Sequence, residues 1–259
     1  MIHTGLVLSG GGIRGVAHIG VIKALEEHGI YPTHISGTSA GAIVGALYAG
    51  GVHWADILEF FKVIPIFHAK KFARRKPGFL DTEKFYDEFK KFFPDDAFES
   101  LPKKLYITAT DIIKGELTIF DKGELIKPVL ASATFPGVFS PVDINGSYYV
   151  DGGVLNNFPI EPLQTHCDNI IGSYVNALKS IEINDLKHSY NVLDRAYKIK
   201  SASESIAKFS DCELIISPEE LCEYATFDMR SIDPIFEIGY NSALDVLKAQ
   251  GYSKQTPIN

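Results

Sequence analysis

The sequence predicts an α/β sandwich, and three observations carry that prediction. Apolar runs of strand length alternate with segments of helical spacing; the first strand runs into a glycine-rich loop that opens a helix; the second strand ends in a G-x-S-x-G pentapeptide that opens another. Residues 4–9 read as a buried strand. Val16, Ile19, Ile22 and Leu25 then recur at helical spacing over residues 16–27, closed by His28-Gly29. After the Tyr31-Pro32 turn, a short strand at 34–36 meets Gly37-Thr38-Ser39-Ala40-Gly41, and a helix of small residues runs to Gly50-Gly51. The opening unit is therefore β, α, β, α. Further strands are predicted at 105–111, 116–120, 147–150, 170–175 and 213–217, with helices at 83–92, 191–208 and 235–250. No internal repeat or low-complexity linker interrupts this alternation, and residues 1–259 read as one domain.

Composition narrows the function classes. With 46% hydrophobic and 22% charged residues, the 259-residue chain can bury a large core. A net charge of −7 gives no global attraction to nucleic acid phosphates, so nucleic acid is not an expected partner. Cys167, Cys212 and Cys222 form no paired framework or zinc-site spacing, and read as core thiols in a reducing compartment. The start of the chain enters the first strand without a basic region or cleavage site, which argues against a signal peptide. The apolar run from Ala40 to Val52 falls short of the ~18 residues of a spanning helix, so a cytoplasmic protein without a transmembrane segment is expected.

The loop Gly10-Gly11-Gly12-Ile13-Arg14-Gly15 sits between a strand and a helix, where backbone N–H groups and the helix dipole favour an anion. Gly10, Gly12 and Gly15 also satisfy the dinucleotide pattern G-x-G-x-x-G. That fold wants an acidic residue about 20 positions onward for the ribose hydroxyls. Between His28 and Ala55 there is no Asp or Glu, which argues against a nicotinamide or flavin oxidoreductase. In the pentapeptide, Gly37 and Gly41 permit a strained turn that exposes the Ser39 hydroxyl, and the N–H of Ala40 can join the loop in stabilising an oxyanion. Ser39 is the candidate nucleophile. An α/β-hydrolase order would nominate His166 or His188 as its base, although neither sits in an evident motif. The distinctive downstream segment is Tyr149-Val150-Asp151-Gly152-Gly153, which makes Asp151 the candidate, against the reading of an ordinary Asp-Gly turn.

Together, G-G-G-x-R-G at Gly10 to Gly15, G-T-S-A-G at Gly37 to Gly41 and D-G-G at Asp151 to Gly153 resemble the patatin-like phospholipase family. Ala131, Ser132, Pro136 and Phe139 are similar to the segment preceding the family's aspartate, so the resemblance covers residues 5–159. It implies a three-layer α/β/α sandwich with a mostly parallel central sheet, and a Ser39-Asp151 dyad that needs no histidine. Gly10, Gly11 and Gly12 would form the oxyanion hole, and Arg14 would hold the loop or attract a phosphate head group. The implied activity is hydrolysis of fatty acyl esters of lipids, such as phospholipid or lysophospholipid, through an acyl-enzyme and without metal or organic cofactor. A non-hydrolytic lipid-binding module and an acyltransferase are the alternatives. Two features depart from the commonest family form: Ser9, not an acidic residue, precedes the glycines, and few elements lie beyond the catalytic core.

One further stretch stands out. From Phe60 to Phe79, Phe60, Phe61, Ile64, Ile66, Phe67 and Phe72 mingle with Lys62, Lys70, Lys71, Arg74, Arg75 and Lys76, without an acidic residue. These six positive charges leave −13 elsewhere, so the segment is a candidate for peripheral contact with an anionic membrane, against the reading of a solvated loop.

Overall fold

The computed structural model describes residues 2–64, 82–226 and 229–254. Its elements in chain order are β1 (Thr4–Leu8), α1 (Val16–Glu27), β2 (His34–Gly37), α2 (Ala40–Ala49), α3 (Trp54–Val63), α4 (Thr82–Phe92), β3 (Lys104–Asp111), β4 (Glu116–Phe120), α5 (Ile126–Ser132), β5 (Val142–Ile144), β6 (Ser147–Asp151), α6 (Glu161–Gln164), β7 (Asn169–Ser173), α7 (Ser189–Ile206), β8 (Leu214–Ile216) and α8 (Ile232–Ala249). The strands form one sheet in the order β5-β6-β3-β2-β1-β7-β8, with β4 also on β3. β3, β2, β1, β7 and β8 run parallel, while β4, β5 and β6 add antiparallel pairs. This is the mostly parallel α/β arrangement expected of the sequence.

Alternation along the strands sorts side chains to two faces. Leu6, Leu8, Ile35, Leu105, Ile107 and Ile171 join the large apolar core with α1, α2, α3, α4, α5 and α8. Their neighbours Val7, Tyr106 and Ile170 face the other way and pack with Phe158, Ile160 and Leu163, around the short α6. The layers are therefore unequal, one deep and helical, one thin. Helix α2 is buried along its whole length, which accounts for its charge-free sequence.

Register fixes where the functional segments meet. Residues 109–111 of β3 pair with both β4 and β6, which must therefore occupy opposite edges. Ile107 pairs with both Phe120 of β4 and Gly37 of β2, so β2 shares the edge of β6. Because β2 is parallel and β6 antiparallel to β3, the two strands run toward each other along that edge. Their ends, Gly37 and Asp151, lie opposite Ile107 and Ala109.

Helix α3 was not anticipated from sequence. Its start is capped by the His53 ring, which accepts from the Ala55 N–H at 3.3 Å, and Ile57, Phe60 and Phe61 form its buried face. Phe60 packs 5.3 Å from Phe89 and 5.6 Å from Phe92 between ring centroids. The expectation that Phe60 and Phe61 face lipid is thereby corrected: they sit at helical spacing with Ile57 and point into the core. Residues 65–79 of that candidate membrane segment lie outside the described residues. Among the described residues, no helix is long and apolar enough to cross a membrane. The cysteines also differ from expectation. All three are half-buried, Cys167 and Cys212 pack at the margin of the smaller core, and Cys222 lines a cavity.

The deep layer depends on a close crossing of α1 and α8. A Cβ on Gly239 would collide with the Ala17 carbonyl, and one on Gly20 with the Phe236 carbonyl, so the two backbones touch. Substituting Gly239→Val is expected to lower unfolding free energy by about 1–3 kcal/mol or more, because backbone atoms cannot move aside as a flexible side chain can. Urea unfolding of the variant against wild type measures it, and an unchanged midpoint would contradict this packing.

Candidate active site

The head-on approach of β2 and β6 places Ser39 beside Asp151. Ser39 has φ 54° and ψ −122°, a conformation that L-residues rarely adopt. Its neighbours make it possible: a Cβ on Gly37 would lie 2.5 Å from the Gly41 carbonyl oxygen, and one on Gly41 would overlap the Leu8 carbonyl. Two donors lock the elbow down. The Thr38 N–H donates to the Leu8 carbonyl at 3.2 Å and the Ser39 N–H to the Ser132 hydroxyl at 2.8 Å. Beneath it, the Thr38 hydroxyl donates to the Asn156 carbonyl at 2.9 Å and meets the Thr108 hydroxyl at 2.6 Å.

Asp151 is held equally firmly. Its N–H donates to the Thr134 carbonyl at 2.9 Å, and its carbonyl accepts from the Thr110 hydroxyl at 3.1 Å. Its carboxylate accepts from the Gly153 N–H at 2.7 Å and from the Ser39 hydroxyl. Burial pushes the carboxyl pKa up to about 6, while those two hydrogen bonds pull the other way. Tyr197 of α7 faces the same carboxylate, and burial, with that negative charge, raises its phenol above the ordinary range.

The glycine loop meets this pair from the end of β1. The N–H groups of Gly11, Gly12 and Ala40 have no acceptor among the described residues. The Gly10 N–H, unlike these three, is engaged, donating to the Asn157 carbonyl at 3.2 Å. Arg14 is buried; its Nε donates to the Gly11 carbonyl at 3.3 Å and its Nη2 to Asn176 Oδ1 at 2.8 Å. The Asn176 amide in turn donates to the Gly10 carbonyl. Of the two roles anticipated for Arg14, holding the loop is the one made by these contacts, although the residue also lines the cavity.

Two supports of the loop escaped sequence reasoning. Ser9 accepts from the Val175 N–H at 3.1 Å and so ties the loop to the end of β7. His18, fully buried in α1, contacts the Ser9 carbonyl through Nε2 at 2.8 Å and the Ser173 hydroxyl through Nδ1 at 2.7 Å. A carbonyl can only accept, so Nε2 carries the proton and Nδ1 accepts from Ser173. Burial lowers the ring's pKa to about 4, which keeps His18 neutral at ordinary pH. The alternative bases stand elsewhere: His166 stacks between Tyr106 and His34, and His188 begins α7. Among the described residues no histidine lines the cavity.

That cavity, about 1000 Å³, opens over Ser39 and Asp151. One wall comes from the inner side of α7, another from residues 222–226, and Leu178, Ile181, Leu186 and Tyr224 give it apolar surface. Its size suits a ligand larger than a simple metabolite.

A family model described as patatin-like phospholipase matches residues 6–163. An uncharacterized NTE family protein of Mycobacterium bovis is 36% identical over 163 residues, which are 61% of this chain and 44% of that protein. Lysophospholipase nte1 of Emericella nidulans is 29% identical over 290 residues, covering 95% of this chain and 18% of the fungal protein. The chain thus spans less than half the length of these curated relatives. Among solved structures, VipD from Legionella pneumophila matches with a TM-score of 0.56 and 18% identity, over 96% of this chain and 67% of that one, a likeness of fold.

The environment of Asp151 has a measurable thermodynamic consequence. Its carboxyl holds a proton more tightly in the folded chain, at about 6, than in the unfolded chain, at 3.8. Stability therefore falls as pH rises through that window, and a penalty on the order of 3 kcal/mol persists above it. Asp151→Asn is expected to be more stable than wild type at pH 8 and to lose that advantage near pH 4, measured by denaturant unfolding at both pH values. A variant less stable at pH 8 would refute the buried charge.

Proposed function

This chain belongs to the patatin-like phospholipase family, and we propose that it is a serine acyl hydrolase in which Ser39 and Asp151 cleave fatty acyl esters of lipids. The observation that carries this reading is the hydrogen bond between the strained Ser39 and a buried carboxylate, set beside N–H groups that have no acceptor among the described residues.

Asp151 takes the Ser39 proton as Oγ attacks the ester carbonyl, forming a tetrahedral oxyanion. The N–H groups of Gly11, Gly12 and Ala40 stabilise that charge, helped by the positive end of α2. Protonated Asp151 then gives its proton to the departing alcohol, leaving acyl-Ser39. In the second half, Asp151 takes a proton from water, whose hydroxide attacks the acyl carbon; the fatty acid leaves and Ser39 regains its proton. The raised pKa of Asp151 suits both roles, since a carboxyl near 6 is ionised at neutral pH yet is a far stronger base than an ordinary aspartate. Leu178, Ile181, Leu186 and Tyr224 would receive the acyl chain.

Labelling with a fluorophosphonate probe, read by peptide mass spectrometry, tests this reading. One adduct is expected on Ser39, absent in Ser39→Ala and formed about 100 to 10,000-fold more slowly in Asp151→Asn. The wild-type rate should be flat above about pH 6 and fall about tenfold per unit below it, as Asp151 takes up its proton. A folded wild type that stays unlabelled would remove the hydrolase reading, and normal labelling of Asp151→Asn would remove Asp151 as the base.

A further inference from the structure

The second half of the reaction needs a water molecule held against Asp151, with a lone pair aimed at the acyl carbon. The surroundings of Gly153 are built for this. A Cβ on Gly153 would lie 2.9 Å from Asn157 Oδ1, 3.0 Å from Asp151 Oδ1 and 3.5 Å from Tyr197 Oη. Three oxygens, two from the end of β6 and the loop after it and one from α7, thus converge in front of a residue that has no side chain. All four residues line the cavity above Ser39.

Hydrogen bonding within the protein does not explain the two neutral members of this group. Neither the Asn157 amide nor the Tyr197 hydroxyl has a hydrogen-bond partner among the described residues. Asn157 is anchored through its backbone carbonyl, which accepts from the Gly10 N–H, and a Cβ on Gly10 would overlap Asn157 Oδ1 and lie 3.1 Å from Ser39 Cβ. The amide therefore reaches between the serine and the aspartate. Tyr197 stands on the inner side of α7 beside Asp194, Lys198 and Ser201, and its ring meets Phe135 edge-on at 6.4 Å between centroids. Burial and the charge of Asp151 keep its phenol protonated at ordinary pH, so its hydroxyl is a donor.

A water molecule has two protons and two lone pairs. Asp151 Oδ1 can accept one proton, Asn157 Oδ1 the other, and the Tyr197 O–H can donate to one lone pair. The remaining lone pair faces the acyl carbon. We infer that Asp151, Asn157 and Tyr197 form the seat of the water that releases the acyl group, with Asn157 and Tyr197 touching that water as catalytic residues. The inference rests on the acyl-hydrolase reading. The water oxygen bonds to the acyl carbon as its proton passes to Asp151; the tetrahedral intermediate then breaks its bond to Ser39 Oγ, which takes the proton from Asp151, and the carboxylic acid departs. Asn157 and Tyr197 exchange no proton; they fix the position of the attacking oxygen.

Kinetics with p-nitrophenyl butyrate separate the two halves, because its leaving group needs no proton. The value of kcat/KM reports formation of acyl-Ser39, and the steady-state occupancy of acyl-Ser39, read by intact mass after acid quench, combines with kcat to give its hydrolysis rate. In Tyr197→Phe, kcat/KM is expected to stay within about twofold of wild type while hydrolysis of acyl-Ser39 slows about tenfold and its occupancy rises, the effect of one lost hydrogen bond to the attacking group. Asn157→Ala should show the same division. Hydroxylamine, a nucleophile that needs no base, should restore release in both variants. A role in packing alone would slow formation and hydrolysis together. That result in Tyr197→Phe, whose ring is retained, or unchanged hydrolysis of acyl-Ser39 in either variant, would overturn the water seat. The wild type separates the two readings: if it is folded yet neither takes the fluorophosphonate label nor turns over the ester, the hydrolase reading is lost and the seat with it, whereas a wild type that does both beside a variant with unchanged hydrolysis removes the seat alone.

Discussion

Everything at the site follows from one edge of β3. Two strands of opposite direction share that edge, and they end facing each other two residue steps apart on β3, at Ile107 and Ala109, about 7 Å along the strand. A turn placed at the end of β2 and a carboxylate placed at the end of β6 have nowhere else to go. The strained backbone of Ser39 and the close packing of Gly37 and Gly41 matter because they spend this narrow gap on a hydroxyl instead of on a bulky turn. The hydrogen bonds that Thr110 and Thr38 donate, and the one that Ser132 accepts from the Ser39 N–H, keep both ends from drifting out of reach.

The loop beside this pair is held mainly by oriented dipoles. His18 does its structural work as a neutral ring, and Ser9, Asn157 and Asn176 hold the loop through hydroxyl, carbonyl and amide groups. Such groups support a developing negative charge without supplying a permanent counter-ion that would pull the Asp151 pKa back down. Arg14 is the exception, and its side chain is turned to the Gly11 carbonyl and Asn176. The loop is thus braced by a cation that the carboxylate does not use as a partner.

Much of this was legible in the sequence where local chemistry admits few alternatives. Three glycines after a strand, a serine between glycines, and an aspartate before two glycines each demand a particular backbone, and all three segments meet at the cavity. What stayed hidden depends on distance or on reversed polarity. His18 touches Ser173, 155 residues away, and nothing near either residue announces the contact. Helix α3 was missed because its aromatic residues lie next to a basic run that drew them toward a membrane reading. Helix α7 was placed by its spacing, but its polar side faces inward, so its role as a cavity wall could not be read from amphipathicity. The final third of the chain, silent in motifs, supplies most of that wall.

The edge of β3 has a temporal side as well. Ser39 and Asp151 are 112 positions apart, and the carboxylate reaches the hydroxyl only once β6 has paired with β3. Chains emerge from synthesis with their N-terminal part first. The β1-to-α2 unit is therefore synthesised before the residues that brace its elbow, Ser132 and Asn156, and the serine acquires its carboxylate neighbour when the antiparallel strand closes. Under the proposed chemistry, reactivity at Ser39 would in this sense be a built-in report of finished folding, because a chain whose β6 has not paired with β3 lacks the carboxylate beside the hydroxyl.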